Sequence, residues 1–373
     1  MGKRPTQLPR DVVDLLARNY GLITTAEARQ AGVHVGRLRR LVDAGLLTQF
    51  AHGCYVDAAR IKRLDDWSLH REKARAFAIS CGSDAYLVGW SSAVCWRLPT
   101  VGLPPALPTV VRPSAPGRGP SRTAYGRILV AELPPEHLYG SNRYGLMSQS
   151  WTAVDLARRA PLHHALVVAD QVARNGGDLS AVAGGMAGWP AAHRSRWVAE
   201  HADPNSESPL ETLGRFTCIE FDLPMPVSNA WVGRDGPERR VDGLWPYHRA
   251  ASEADGAIKY NNRNDAAEIV RAQNEREFWL RRLGLDFVRY SAPDVYGDRT
   301  ALAGRFSALL RDNPAGEPIR WWKDVPGVGP VEPKDEDWPS PEPLRLVLPA
   351  GWRHGLEDDM WSDGDSINNP DAG

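Results

Sequence analysis

The sequence predicts a multidomain α+β protein, and three observations carry that expectation. The chain has 373 residues, more than one ordinary domain holds. Its helix-like and strand-like patterns fall into successive blocks of different order. Its charge is also uneven: residues 331–373 hold eleven acidic and three basic residues, a net −8, which leaves +7 on residues 1–330, an acidic tail behind a basic body that fits a polyanion-binding protein. With 42% hydrophobic and 24% charged residues, each block has enough apolar material for a core of its own.

The first block, residues 1–60, predicts three helices and a hairpin. DVVDLLARN, from Asp11, has helical periodicity in Val12, Val13, Leu15 and Leu16. Thr25 opens a short helix that Gly32 closes. In VGRLRRLVDA, from Val35, the residues Val35, Leu38, Leu41 and Val42 share one face, and Gly45 stands where a left-handed C-cap is wanted. LLTQF and CYV then read as two short strands around His52 and Gly53. This order predicts a winged helix-turn-helix, with Arg37, Arg39 and Arg40 on the exposed face of the third helix, available to a DNA major groove. The same arginines also suit a merely solvated helix face or a protein-binding winged helix.

Residues 61–205 predict an α+β middle domain. Helices are expected at 67–82, 152–159 and 162–174, a helix start at 91–94 after the run 86–90, and strands at 108–112 and 127–131. No catalytic constellation stands out in this block. The adjacent pair His163 and His164 is set aside as a metal site, because neighbours on a helix point apart.

Residues 206–312 predict an α/β unit in the order α-β-β-β-α-β, that of the restriction-endonuclease core. Ser208 caps a helix with Pro209 at its first position and Glu211 three residues after the cap. Strands follow at 226–233, 239–245 and 249–255. A long helix over 263–283 ends at Gly284, and a strand over 286–290 and a helix over 300–311 complete the order. The remainder, 313–373, is rich in Pro, Trp and acid and is expected to be a largely disordered tail, in which the Leu344–Leu348 run and several tryptophans are able to dock.

The chemistry expected of this unit rests on carboxylates. Asp242 and Glu253 fall in successive strands, and antiparallel pairing brings them to one side of the sheet. Glu253 and Asp255, two apart, share a face. Carboxylates gathered in this way repel unless a cation lies between them. Mg²⁺ or Mn²⁺ held by Asp242, Glu253 and Asp255 satisfies that need, and such an ion acidifies a water for phosphodiester attack. Lys259 is placed to stabilise charge on the phosphorane, and Glu211 to complete the metal shell. Each residue has a plainer reading as well. Glu211 fits a capping box, Asp242 and Asp255 precede glycines as turn residues do, and Lys259 fits a solvated surface.

Two stretches resemble known families. SPLE…RRVDGLW…SEADGAIKY…RAQNEREFWLRRLG…FVRY resembles a domain of unknown function related to the very-short-patch-repair (Vsr-type) endonucleases, in the PD-(D/E)XK nuclease superfamily. The matching positions are Glu211, Asp242, Glu253, Asp255 with Gly256, Arg276 and Arg289. Where that family commonly has a histidine after its Asp-Gly step, this chain has Lys259 nearby. LITTAEARQAGVHVGRLRRLVDAGLLTQFAHGCYV resembles the N-terminal winged helix of AbiEi-type antitoxins, from abortive-infection toxin–antitoxin systems. VGWSSAVCWRLP and SWTAVDLARRAP resemble the second domain of those antitoxins. The resemblance implies a cytoplasmic bacterial protein that binds operator DNA, with a cognate toxin or its operon as partner.

Four scattered cysteines without a CxxC pair argue against a disulfide scaffold and a zinc ribbon, and suit a reducing cytoplasm. The basic start lacks the apolar run of a secretory signal, and no segment reads as a membrane span. Two function classes lead: a DNA-binding protein of toxin–antitoxin or phage-defence type with a Mg-dependent endonuclease domain, and a non-catalytic repressor or antitoxin with a degenerate nuclease-like domain. A protein-interaction adaptor is the third.

Overall fold

The computed structural model describes residues 5–141, 143–256 and 275–354. They form a mixed α+β chain with several sheets, in two compact units. One takes residues up to 160 together with 179–196, the other 161–178 and 197–354.

The first unit begins with three helices and a three-stranded sheet. Helix Arg10–Arg18 buries Val12, Leu15 and Leu16. Thr24 caps helix Thr25–Gln30 in a capping box with Glu27, which satisfies amides the helix itself leaves free. In helix Val35–Asp43, Leu38 and Leu41 are buried. Gly45 follows at φ 76, a backbone state that costs other residues a steric penalty. Strand Cys54–Asp57 lies between Leu22–Thr24 and Leu47–Ala51, antiparallel to both. The expected hairpin is present, while the three-residue strand beside it is too short to show as a pattern.

The core does not stop at residue 60. Leu22, Phe50, Ala51, Cys54 and Val56 share one apolar cluster with Ala74, Phe77, Leu87 and Val110. The expected boundary at 60/61 is therefore corrected: it is a change of element order, with no break in packing. Beyond it, helices Asp66–Cys81 and Gly89–Trp96 accompany a six-stranded mixed sheet in which Thr109–Pro113 and Arg127–Ala131 pair in parallel.

His70, on helix Asp66–Cys81, is 2% exposed, and its Nε2 lies 3.1 Å from Ser91 Oγ. Burial pulls its pKa down to about 4, far below its unfolded value. A depressed histidine contributes stability that is complete above the unfolded pKa of about 6.5 and is lost as pH falls toward the folded value. Urea unfolding at pH 7 and pH 5 is expected to show a loss of about 2 kcal/mol from this residue. The loss should be absent in His70→Gln, and an equal loss in wild type and variant would remove His70 as its source.

The second unit is built on a six-stranded sheet. Its order is Asp286–Ser291, Ala250–Asp255, Arg239–Trp245, Val227–Val232, Trp321–Val325 and Gly329–Val331. The first two strands run parallel and every other neighbouring pair is antiparallel. Helices Pro209–Glu220 and Thr300–Asp312 pack in this unit, Thr300–Asp312 burying Leu302, Phe306 and Leu309. Gly214, inside Pro209–Glu220, is required by close approach, since a Cβ there would lie 2.2 Å from the Tyr290 hydroxyl.

Two expectations about its limits are corrected. Residues 313–354 are not a disordered tail. Trp321 and Trp322 are 1% and 5% exposed, strand Trp321–Val325 pairs with Val227–Val232, and Arg240 reaches Asp324 at 3.0 Å. Proline and acid dominate the composition of this stretch, but two tryptophans supply enough apolar area to fix it. The domain expected to end at 312 therefore runs further, and residues 355–373 lie outside those described. Helix Leu162–Arg174, assigned from sequence to the middle domain, instead packs against Pro209–Glu220. Its buried Asp170 accepts hydrogen bonds from Arg215 and from the Thr212 hydroxyl.

Among the described residues no helix is long and apolar enough to cross a membrane. All four cysteines are free.

Candidate functional site

Two groups of residues invite a functional reading, one in each unit. In the first, helix Val35–Asp43 starts where His34 Nδ1 accepts the Gly36 amide at 3.1 Å. With Leu38 and Leu41 turned into the core, Arg39 and Arg40 are left exposed to solvent. Arg37 differs from them. It forms a two-pronged ion pair with Asp11 of the first helix, at 2.6 and 3.1 Å, so its charge is already matched. The three arginines are thus not equivalent, which helical spacing alone does not reveal. Exposed His52 sits at the hairpin tip next to Gly53 at φ 67.

In the second unit the sheet brings the expected carboxylates together. The antiparallel register pairs Gly243 with Ser252, and one step further sets Asp242 opposite Glu253. Asp242 Oδ2 accepts the Ala254 amide at 2.7 Å. Glu253 is 6% exposed. Burial, with the nearby Asp242 charge added, pushes its pKa up to about 7. Asp242 is raised by burial too, and so is Glu211, on which Asp242 also acts. Glu211, Asp242 and Glu253 are therefore one electrostatic group. Lys259 lies outside the described residues.

The oxygens of this group are largely engaged. Arg276, on the helical stretch 275–282, donates to Glu253 Oε1 at 2.9 Å and to the Arg240 carbonyl. Arg289 stands in register with Glu253 on the parallel strand and clasps Asp255 through Nη2 at 2.7 Å and Nε at 2.9 Å. Glu211 takes the Ser208 hydroxyl at 2.7 Å, the Glu207 amide at 2.8 Å and the Asn229 side-chain amide. It reaches back to the residue before the cap, where a standard capping box would use the cap's own amide.

This arrangement fits a divalent ion poorly. Mg²⁺ takes carboxylate oxygens in a near-octahedral shell. Here the Ala254 amide holds one oxygen of Asp242, Arg276 one oxygen of Glu253 and Arg289 both oxygens of Asp255, and among the described residues no three His, Cys, Asp or Glu side chains are grouped to hold a metal. Arg276 and Arg289 place cations on Glu253 and Asp255, while burial still raises the pKa values of Asp242 and Glu253. Both positions belong to the matched motif of the nuclease resemblance, but nothing in their spacing announced that they would neutralise the site.

His163 and His164 do come close, with ring centroids 4.3 Å apart. Burial lowers their pKa values to about 2 and about 4. His163 packs on Phe216 and Trp352, the environment of a core histidine.

Comparison with known proteins agrees with the first group. Residues 10–56 match the family described as "Transcriptional regulator, AbiEi antitoxin". An uncharacterized protein of Mycobacterium tuberculosis strain CDC 1551 / Oshkosh, and another of strain H37Rv, are each 28% identical to this chain over 168 residues, 43% of this chain. The chain spans 60% of the length of these relatives. The crystal structure of the RV2827C protein from Mycobacterium tuberculosis overlaps 53% of this chain and 78% of its own, at 16% identity and a TM-score of 0.34.

Proposed function

We propose that this protein is a DNA-binding transcriptional regulator of the toxin–antitoxin type, in which residues 10–56 act as a winged helix that lays helix Val35–Asp43 in the major groove. The observation that carries this reading is the exposed pair Arg39 and Arg40, opposite the buried Leu38 and Leu41, inside the segment that matches the regulator family. Arginine suits the role because its planar fork matches both phosphate oxygens and the guanine edge. Asp11 holds Arg37 and thereby links the first helix to the third. The expected target is the operator of the protein's own operon, and the expected protein partner is a cognate toxin. The test is a fluorescence titration of the full chain with duplex DNA from its promoter region. Log affinity should fall linearly with log salt, by about 0.9 for each phosphate neutralised.

The second unit contributes as a nuclease-like sheet without a metal-dependent step. What favours this over the endonuclease reading is the pair of guanidinium groups seated on Glu253 and Asp255. Full-length protein with Mg²⁺ or Mn²⁺ is accordingly expected to leave plasmid, mismatched and single-stranded DNA uncut. Cleavage that Asp242→Asn or Glu253→Gln reduces by more than ~10²-fold, the scale of lost transition-state electrostatics, would reinstate the endonuclease.

A further inference from the structure

One cavity of the first unit has no part in the arginine face or the carboxylate sheet. Its volume is about 880 Å³, ample for a small organic ligand. Five arginines line it, Arg60, Arg71, Arg75, Arg97 and Arg143, against two acids, Asp57 and Glu72. Both acids are already engaged. Glu72, 2% exposed, is held by Arg60 and Arg75 at 2.9 Å each, and Asp57 accepts the Ala59 amide at 2.8 Å. Arg143 is matched to Glu27 at 2.7 Å. Among the described residues, Arg71 and Arg97 form no ion pair. Arg97 is exposed, in the left-handed conformation at the end of helix Gly89–Trp96. The rest of the wall includes Leu16, Ala17 and two phenol rings, those of Tyr144 and of Tyr20, which is 75% exposed.

We infer that this cavity binds a nucleoside phosphate, with the phosphate on Arg71 and Arg97 and the base along Tyr20 and Tyr144. The lining dictates the ligand's two halves. Guanidinium groups without acidic partners call for an anion, and their planar forks match the paired oxygens of a phosphate better than a lone charge. Phenol faces beside aliphatic side chains offer a flat ring a stacking surface that phosphate alone does not use. This inference does not depend on the DNA-binding reading, because the site needs no DNA.

The test is calorimetric titration of the full chain, in the absence of DNA, with ADP, GDP, adenosine and inorganic phosphate. At least one of the two nucleotides should bind one to one with a Kd below roughly 1 mM. Adenosine and phosphate should each bind at least about tenfold more weakly. Arg71→Gln and Arg97→Gln should each weaken the nucleotide by about tenfold or more, the size of one lost charged hydrogen bond, with an unchanged melting temperature for the free protein. A second readout is the nucleotide's own stabilisation: wild type should melt higher in saturating nucleotide, and the variants should not. The inference fails if neither nucleotide gives binding heat or a melting shift, or if phosphate binds as tightly as the nucleotides. Full nucleotide affinity in both variants also overturns it.

Discussion

Arg215→Ala is expected to destabilise the second unit by about 3–5 kcal/mol, the cost of breaking a buried ion pair from one side. Arg215 and Asp170 are 7% and 1% exposed, and the guanidinium lies 3.0 Å from both carboxylate oxygens. The Asp203 amide and the Thr212 hydroxyl complete the shell of Asp170, at 2.8 and 2.7 Å. Burial still raises the Asp170 pKa to about 6, so at neutral pH the charge persists only with its partner in place. The loss is read by urea unfolding followed through tryptophan fluorescence. A double replacement, Asp170→Leu with Arg215→Met, should recover most of it, because two apolar side chains leave no charge stranded. A loss under about 1 kcal/mol in Arg215→Ala would mean that Asp170 already sits protonated.

That pair also shows what a sequence exposes and what it hides. Helix Leu162–Arg174 was legible from its apolar period, since Leu162, Ala165, Leu166, Ala169 and Val172 fall on one face and are buried. Its membership of the second unit was not legible, because Asp170 finds Arg215 across 45 residues of chain. Strand Arg239–Trp245 read correctly because it is long and bounded by a Gly-Pro turn. Strands Leu22–Thr24 and Tyr86–Leu87 are too short for alternation to show, and each depends on partners remote in sequence. The tryptophans of the tail were legible as able to dock, but the acidic, proline-rich composition around Trp321 and Trp322 hid the strand they form.

The carboxylate group divides in the same way. Antiparallel pairing of successive strands sufficed to foresee Asp242 beside Glu253, and the two-residue period of a strand sufficed to put Asp255 on the face of Glu253. The neutralisation of the group was not foreseeable. It needs the parallel register that sets Arg289 against Glu253, and the position of Arg276 on a helix. Residue type and spacing identify where charge gathers, but only the three-dimensional neighbours decide whether a metal or a guanidinium balances it.

Replacing Arg39 and Arg40 together by alanine is the other large expected effect. Neither side chain supports the core, so the fold should persist while DNA affinity falls on the order of tenfold to a hundredfold. If both arginines contact phosphates, the slope of log affinity against log salt should flatten by about 2. Contacts to base edges would instead relax sequence preference, at about 1–3 kcal/mol each. Arg37→Ala should change the slope less, because Asp11 already balances Arg37.

The salt dependence of promoter-duplex binding, measured for the wild-type chain and for the Arg39→Ala, Arg40→Ala double variant, therefore tests the central claim most directly. The account predicts tight, steeply salt-dependent binding by wild type and a weaker, flatter dependence in the variant. Identical slopes and affinities for the two proteins, or no duplex binding by wild type at about 50 mM salt, would contradict it.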